Sequence, residues 1–428
     1  MNTVKRKRLS FDQSLDDPQS SPYRWVMLVI LWGIYASFGI AQRSISPLIT
    51  PILADLKMSY GQMGFVLGSW QLTYIATAII AGFLIDRWGI RNSLFFGAIV
   101  IALSTCLRYF SIGFATFLPL VALIGVGGPM ISIGSPKTIA LWFRGKDRGT
   151  ALGIYMTGPA LGAALAFAAT NRVIMPLTGN SWRLTFVFYG LLTLAAAFLW
   201  WFLSKEIETK SDSLGVGLKS VFIKLINVRN IQIILVSGLL SFAVIHGSMS
   251  WLPKIFENKG FFPAVAGYVS AIPPMACIPS YLILPRIIPP QKRIAALAVM
   301  ALVTAASFWL LFNQNGVLMF AGLILFGFSS GVLSPLLILI LMETPEVGAR
   351  YLGFAGGLFF CISEVGGFTS PLVIGALVDW TGGFMAGGYF VIALSLGIFL
   401  LTFLMQNKRT NDHISRPQDT TDTESRKL

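Results

Sequence analysis

Four ionisable side chains stand inside long apolar runs: Arg43 in "FGIAQRSISP", Lys137 in "GSPKTIALWF", His246 in "AVIHGSMSW" and Glu364 in "FCISEVGGF". A charge at a bilayer centre costs about 2.5–3.5 kcal/mol even on an insertion scale, so a residue of this kind usually faces a watery interior and handles substrate or protons. The small and polar helical neighbours of Arg43 (Ala36, Gly39, Ser46 and Thr50) suit such a lumen, whereas its place beyond the middle of the run would also let it snorkel outward as an anchor. The lumen is the expected side. Lys137 lies seven residues before Arg144 and either lines a cavity or snorkels to the inner interface. Glu364 is either a proton-coupling carboxylate or a fixed partner for His246 or Lys137. His246 by itself is equally a substrate ligand or a ring satisfied by a backbone carbonyl.

Other chemistries lack their residues. No nucleophile–base pair or metal-ligand spacing occurs, and Cys106, Cys277 and Cys361 are scattered through apolar runs. "GVGGP" lacks the strand–turn–helix setting of a dinucleotide loop, and no Walker A sequence is present. Neither an enzyme nor an ATP-driven pump is expected, and no cofactor or metal.

Those four residues need elements to hold them. The 428-residue chain is 55% hydrophobic and 12% charged, with a mean hydropathy of +0.73. A soluble domain with that balance would expose far too much apolar surface. Apolar runs fall at 24–53, 60–84, 92–111, 114–142, 149–170, 183–203, 230–256, 263–285, 294–313, 316–342, 351–378 and 384–405. Each is long enough for a spanning helix. The expected organisation is a polar tail over 1–22, a six-helix half over 23–203, a linker over 204–229, a second half over 230–405 and a polar tail over 406–428. No cleaved signal peptide is expected. Lysine and arginine concentrate in alternate connections and in both tails, which puts both termini in the cytoplasm of a plasma membrane and accounts for the net charge of +14 without nucleic acid. In the linker, Leu218, Val221, Phe222, Leu225 and Ile226 recur at helical spacing, which reads equally as a surface-lying helix or an ordinary connection.

The halves repeat. "RSISPLITPILADLKMSYGQMG" (Arg43 to Gly64) lies over "HGSMSWLPKIFENKGFFPAVAG" (His246 to Gly267) without a gap, which sets Arg43 on His246. Further on, "GSPKTIALWF" matches "LSPLLILILM" and "TALG" matches "RYLG". Duplicated halves of this kind bind cargo near the midplane and expose it to alternate sides by rocking.

At "GFLIDRWGIRN" (Gly82 to Asn92) the chain resembles the major facilitator superfamily, with Gly82, Asp86, Arg87, Gly89 and Arg91 at the positions of its motif between helices 2 and 3, and "FRGKDRG" between helices 4 and 5. The resemblance implies an all-α membrane protein with twelve transmembrane helices in two pseudo-symmetric halves. It also implies that Asp86 latches helix 2 to helix 11 in the outward-facing state. "SYLILPRIIPPQKR" keeps Arg286 but has Pro285 where an acid would stand, so no second latch is expected there. Val121 replaces the helix 4 arginine usual in proton-linked drug exporters, and "GPALG" matches only the core of their helix 5 motif, which lowers that reading. The stretches 43–64 and 251–273 and the Leu107-Arg108 pair resemble the branch of cyanate permeases and nitroimidazole-resistance carriers.

In that superfamily helices 1, 4, 7 and 10 surround the pore, so the resemblance implies that Arg43 and His246 approach one site from opposite sides. Two hydrogen-bond donors there suit an anion. Candidate lining residues are Trp70, Gln71, Tyr74, Tyr155, Thr157, Trp251, Tyr268, Ser329, Ser330 and Ser334, while Arg108 and Arg172 read as interfacial or access-path charges. The expected function is secondary transport of a small anion by alternating access, exchanged or co-transported with a proton or second anion. The rivals are a drug exporter of the same fold and a transporter-like ligand sensor.

Overall fold

The structure, a computed structural model, describes residues 19–207 and 224–405. A bilayer forces every backbone polar group to be satisfied within the chain, which long helices achieve unaided. Among the described residues twelve helices are long and apolar enough to cross a membrane: α1 (Tyr23–Leu56), α2 (Tyr60–Trp88), α3 (Ile90–Phe110), α4 (Phe114–Trp142), α5 (Gly145–Leu177), α6 (Trp182–Leu203), α7 (Arg229–Asn258), α8 (Pro263–Ile287), α9 (Pro290–Asn313), α10 (Val317–Glu343), α11 (Gly353–Thr381) and α12 (Met385–Thr402). The expected all-helical architecture of two six-helix sets is what the chain adopts. Of the linker residues read as a surface helix, Leu218, Val221 and Phe222 lie outside the described residues; 224–226 form one helical turn, with Leu225 fully buried.

The first run, read as one helix, is interrupted. Its first segment ends at Arg43, a short 3-10 turn covers Ser46–Leu48, and a second segment follows over Ile49–Leu56. Pro47 explains the break, because it has no N–H to donate to the Arg43 carbonyl and disfavours helical geometry at the residue before it. The helical neighbours assigned to Arg43 beyond that point, Ser46 and Thr50, are therefore not on a continuation of its helix.

Contacts between the two sets are concentrated at the face opposite the termini, here the far face. A Cβ on Gly64 would collide with the Pro371 carbonyl, on Gly68 with that of Phe368, and on Gly375 with that of Tyr60, so α2 and α11 touch backbone to backbone. At the terminus-bearing ends of the same helices, Gly82, Gly353, Gly356 and Gly357 have nothing within 4 Å. Between α2 and α11 the molecule is closed at the far face and parted at the terminus face, while α5 and α8 still meet toward the terminus face, where a Cβ on Gly153 would stand 2.9 Å from Leu282 Cδ2.

Candidate functional site

The break in α1 leaves Arg43 at a helix end, deep in the bundle and 8% exposed. Its guanidinium crosses to the other half. Nη1 donates to Ser250 Oγ at 3.2 Å, and Nη2 lies 3.3 Å from His246 Nδ1. A guanidinium has only donors, so Nδ1 must accept, and the imidazole proton sits on Nε2. The arrangement thus keeps an imidazole N–H as a second donor beside the fixed positive charge. Trp70 packs 5.8 Å from the His246 ring and Phe242 5.5 Å from it on its own helix. The snorkelling alternative does not describe Arg43, whose polar partners lie inward on α7.

Glu364, 6% exposed, lies within electrostatic reach of Arg43 on α11, and its Oε2 has no hydrogen-bond partner among the described residues. Gln71 on α2 is 1% exposed, and its Oε1 is likewise unpartnered. Both approach Gly367: a Cβ there would stand 3.1 Å from Glu364 Oε2 and 3.2 Å from Gln71 Nε2. Four helices (α1, α2, α7 and α11) so contribute Arg43, Gln71, His246 and Glu364 to one region.

The remaining expected residues are dispersed. Tyr74 bonds Ser132 through its hydroxyl at 2.7 Å and packs on Trp70. Tyr155 is buried with its ring stacked 4.4 Å from that of Tyr35, inside the first half. Trp251 is fully buried, donating from Nε1 to the Pro371 carbonyl at 3.0 Å and packing against Tyr60 and Phe384. It helps close the far face and does not stand beside Arg43. Lys137 reaches the terminus-face end of α2 and donates to Asp86 Oδ1 at 2.5 Å, away from Arg43 and His246. Arg108, read as interfacial or on an access path, is instead fully buried: the 3-10 turn Arg108–Phe110 directs it between α1 and α6, over the Phe186 ring at 5.0 Å. Arg172 is exposed.

Around the motif at 82–91, Gly89 takes a φ of +81° with Glu206 packed where a Cβ would lie, so two demands converge on glycine. Arg91 donates to the Trp201 carbonyl at 2.6 Å, Arg87 is exposed, and Gly82 is unpacked. Asp86 engages Lys137, and among the described residues it bonds nothing on α11.

At the far face a residue missed in the sequence does the corresponding work. Asp379, at the end of α11, accepts from the Tyr60 N–H at 2.9 Å and the Gly61 N–H at 2.7 Å, capping the positive end of α2. The signal was present: "GALVDWTG" (Gly375 to Gly382) repeats the Gly-x-x-x-Asp-x-x-Gly spacing of "GFLIDRWG" (Gly82 to Gly89). Lys254 adds a bond to Thr50 across the halves at 2.7 Å. Ser250, also missed, stands one helical turn after His246. Asp379→Asn removes the anionic cap, worth about 1 kcal/mol, so the far face is expected to open about fivefold more often. Spin labels at Lys57 and Gly383 check this by the growth of a longer distance in the double electron–electron resonance distribution; an unchanged distribution counts against the latch.

A family model described as the Major Facilitator Superfamily matches residues 31–371. The chain is 26% identical over 357 residues to the uncharacterized transporter YycB of Bacillus subtilis (strain 168), covering 81% of this chain and 86% of that protein. It is 23% identical over 402 residues to the hexuronate transporter of the same organism, covering 87% and 92%. A bacterial homolog of the human lysosomal transporter Spinster, solved in an inward-facing and unoccupied conformation, shares the fold with a TM-score of 0.72, 16% identity, and coverage of 90% of this chain and 97% of that one.

Proposed function

Because the chain belongs to the Major Facilitator Superfamily and is a multi-pass membrane transporter, we infer that its cargo is a small organic anion, carried by alternating access between the two six-helix halves. The observation that carries this reading is the apposition of Arg43 with His246 and Ser250 across the halves, at the break in α1. A fixed guanidinium with an imidazole N–H beside it supplies the charge and the geometry that a carboxylate or similar anion needs. The resemblance of 43–64 to cyanate permeases and the similarity to a hexuronate transporter both concern carriers of small anions.

Each half contributes to the clamp, so bound cargo would be released only as the halves part. With both termini in the cytoplasm of a plasma membrane, as the charge distribution supports, the parted terminus face is the inward-open side. Glu364, within electrostatic reach of Arg43 and not bonded to it, is the carboxylate placed to exchange a proton during the cycle. Asp86, held by Lys137 in this state, would be free to reach the start of α11 once the terminus face closes.

Counterflow in proteoliposomes tests the reading. Saturable exchange of small carboxylates is expected from the wild-type protein, with no exchange of lipophilic cations. Exchange of lipophilic cations instead would favour the exporter, and ligand binding without exchange would favour a sensor.

A further inference from the structure

The anion clamp accounts for Arg43, His246 and Ser250 but leaves two buried acceptor atoms without a partner. Glu364 Oε2 and Gln71 Oε1 have no hydrogen-bond partner among the described residues, although their side chains are 6% and 1% exposed. An unpaired polar atom in such a place costs about 1–3 kcal/mol, so a native site that keeps one on each of two neighbouring side chains has a use for both.

Their position relates them to the clamp. Gln71 adjoins Trp70, whose ring packs against His246. Gly367 lies between the two acceptor side chains and has Glu364 Oε2 and Gln71 Nε2 near its missing Cβ. Gly247, next to His246, packs on Ser370, one turn along α11 from Gly367. The donors on α1 and α7 and the side chains of Gln71 on α2 and Glu364 on α11 therefore belong to one region of the bundle.

We propose that Gln71 and Glu364 form a second subsite that accepts hydrogen bonds from an O–H or N–H group of the cargo, so that the transported anion is a carboxylate bearing such a donor near its carboxyl group. The proposal rests on the anion reading above and adds a requirement to it. Arg43 and His246 bind the carboxylate, which any small carboxylate offers. The acceptor pair rejects cargo that lacks the donor, because binding it would bury both oxygens unpaired. Gly367 keeps the two side chains close without filling the space between them.

The test uses the full-length protein in proteoliposomes, with counterflow measured for hydroxy acids (lactate, malate and gluconate), amino acids (alanine and aspartate) and plain acids (propionate, succinate and hexanoate). At least about a tenfold preference for a donor-bearing acid over the plain acid of the same length is expected. Preference for hydroxy acids identifies the donor as O–H, and preference for amino acids identifies it as N–H. Gln71→Leu is expected to reduce that ratio severalfold, and Gly367→Ala, which crowds the same two side chains, to do likewise without removing a functional group. Equal handling of donor-bearing and plain acids by the wild-type protein overturns the proposal and leaves the anion reading intact. Failure to exchange any of these acids overturns both.

Discussion

Arg43→Met is expected to lower anion exchange by about 10²- to 10⁴-fold while the protein still reaches the membrane in normal amount. A hydrogen bond to a charged group contributes about 1.5–3 kcal/mol, and a guanidinium presenting two to a carboxylate contributes about twice that, which sets the range. Stability should change little. The guanidinium makes its hydrogen bonds to Ser250 and His246, and no carboxylate forms a salt bridge with it among the described residues. Removing it breaks no ion pair, and Glu364, within electrostatic reach but not bonded to it, loses a neighbouring charge and no bond. Arg43→Lys keeps the charge but not the planar fork, so an intermediate loss is expected. Initial rates of counterflow, normalised to the amount of reconstituted protein, make the measurement. Wild-type rates in Arg43→Met would remove the clamp and the proposed cargo with it.

Gly64→Val should be nearly as damaging, through the transport cycle and not through binding. The added Cβ would run into the Pro371 carbonyl and stand 2.9 Å from the Leu372 Cα, and backbone atoms cannot swing aside as a side chain would. Overpacking of this kind costs about 1–3 kcal/mol, borne only by the state in which α2 and α11 meet at the far face. The ratio of far-face-open to far-face-closed molecules is then expected to rise by about 5- to 150-fold. Exchange should fall accordingly, because cargo can no longer be passed to the terminus face. The label pair at Lys57 and Gly383 reads the shift directly, and Gly33→Ala, at a glycine with nothing within 4 Å, is the neutral control. A Gly64→Val protein with the short far-face distance retained would show that the interface yields where the geometry says that it cannot.

Both results depend on features legible to different degrees in the chain. The meeting of Arg43 with His246 was legible in two steps: the ungapped overlay of the halves paired the residues, and the resemblance implied that helices 1 and 7 both border the pore. The break after Arg43 was written in Pro47, yet an apolar run with an internal proline reads as one span until the missing N–H is followed to the carbonyl that it leaves open. Asp379 was visible as a spacing repeated from 82–89, but its partner, the start of α2, lies more than three hundred residues earlier in the chain, and no local pattern joins them. Trp251 shows the converse: a tryptophan five residues after His246 reads as a lining residue, and only the approach of α11 turns its indole N–H to the Pro371 carbonyl.

The sequence by itself determined that the chain crosses a membrane twelve times as two related halves, because lipid admits few backbone solutions and apolar length with charge asymmetry declares them. It also marked which rare polar residues are costly in lipid, while leaving open for Lys137 whether it lines a cavity or snorkels to an interface. Beyond the Arg43–His246 pairing, tertiary structure decided which of these meet: Lys137 went to Asp86 at one end of the bundle, while Gln71 and Glu364 joined Arg43 and His246 in its interior. Helix rotation, tilt and the choice of neighbour are set by packing between surfaces far apart in the chain, and a periodicity along one helix carries no record of the helix opposite.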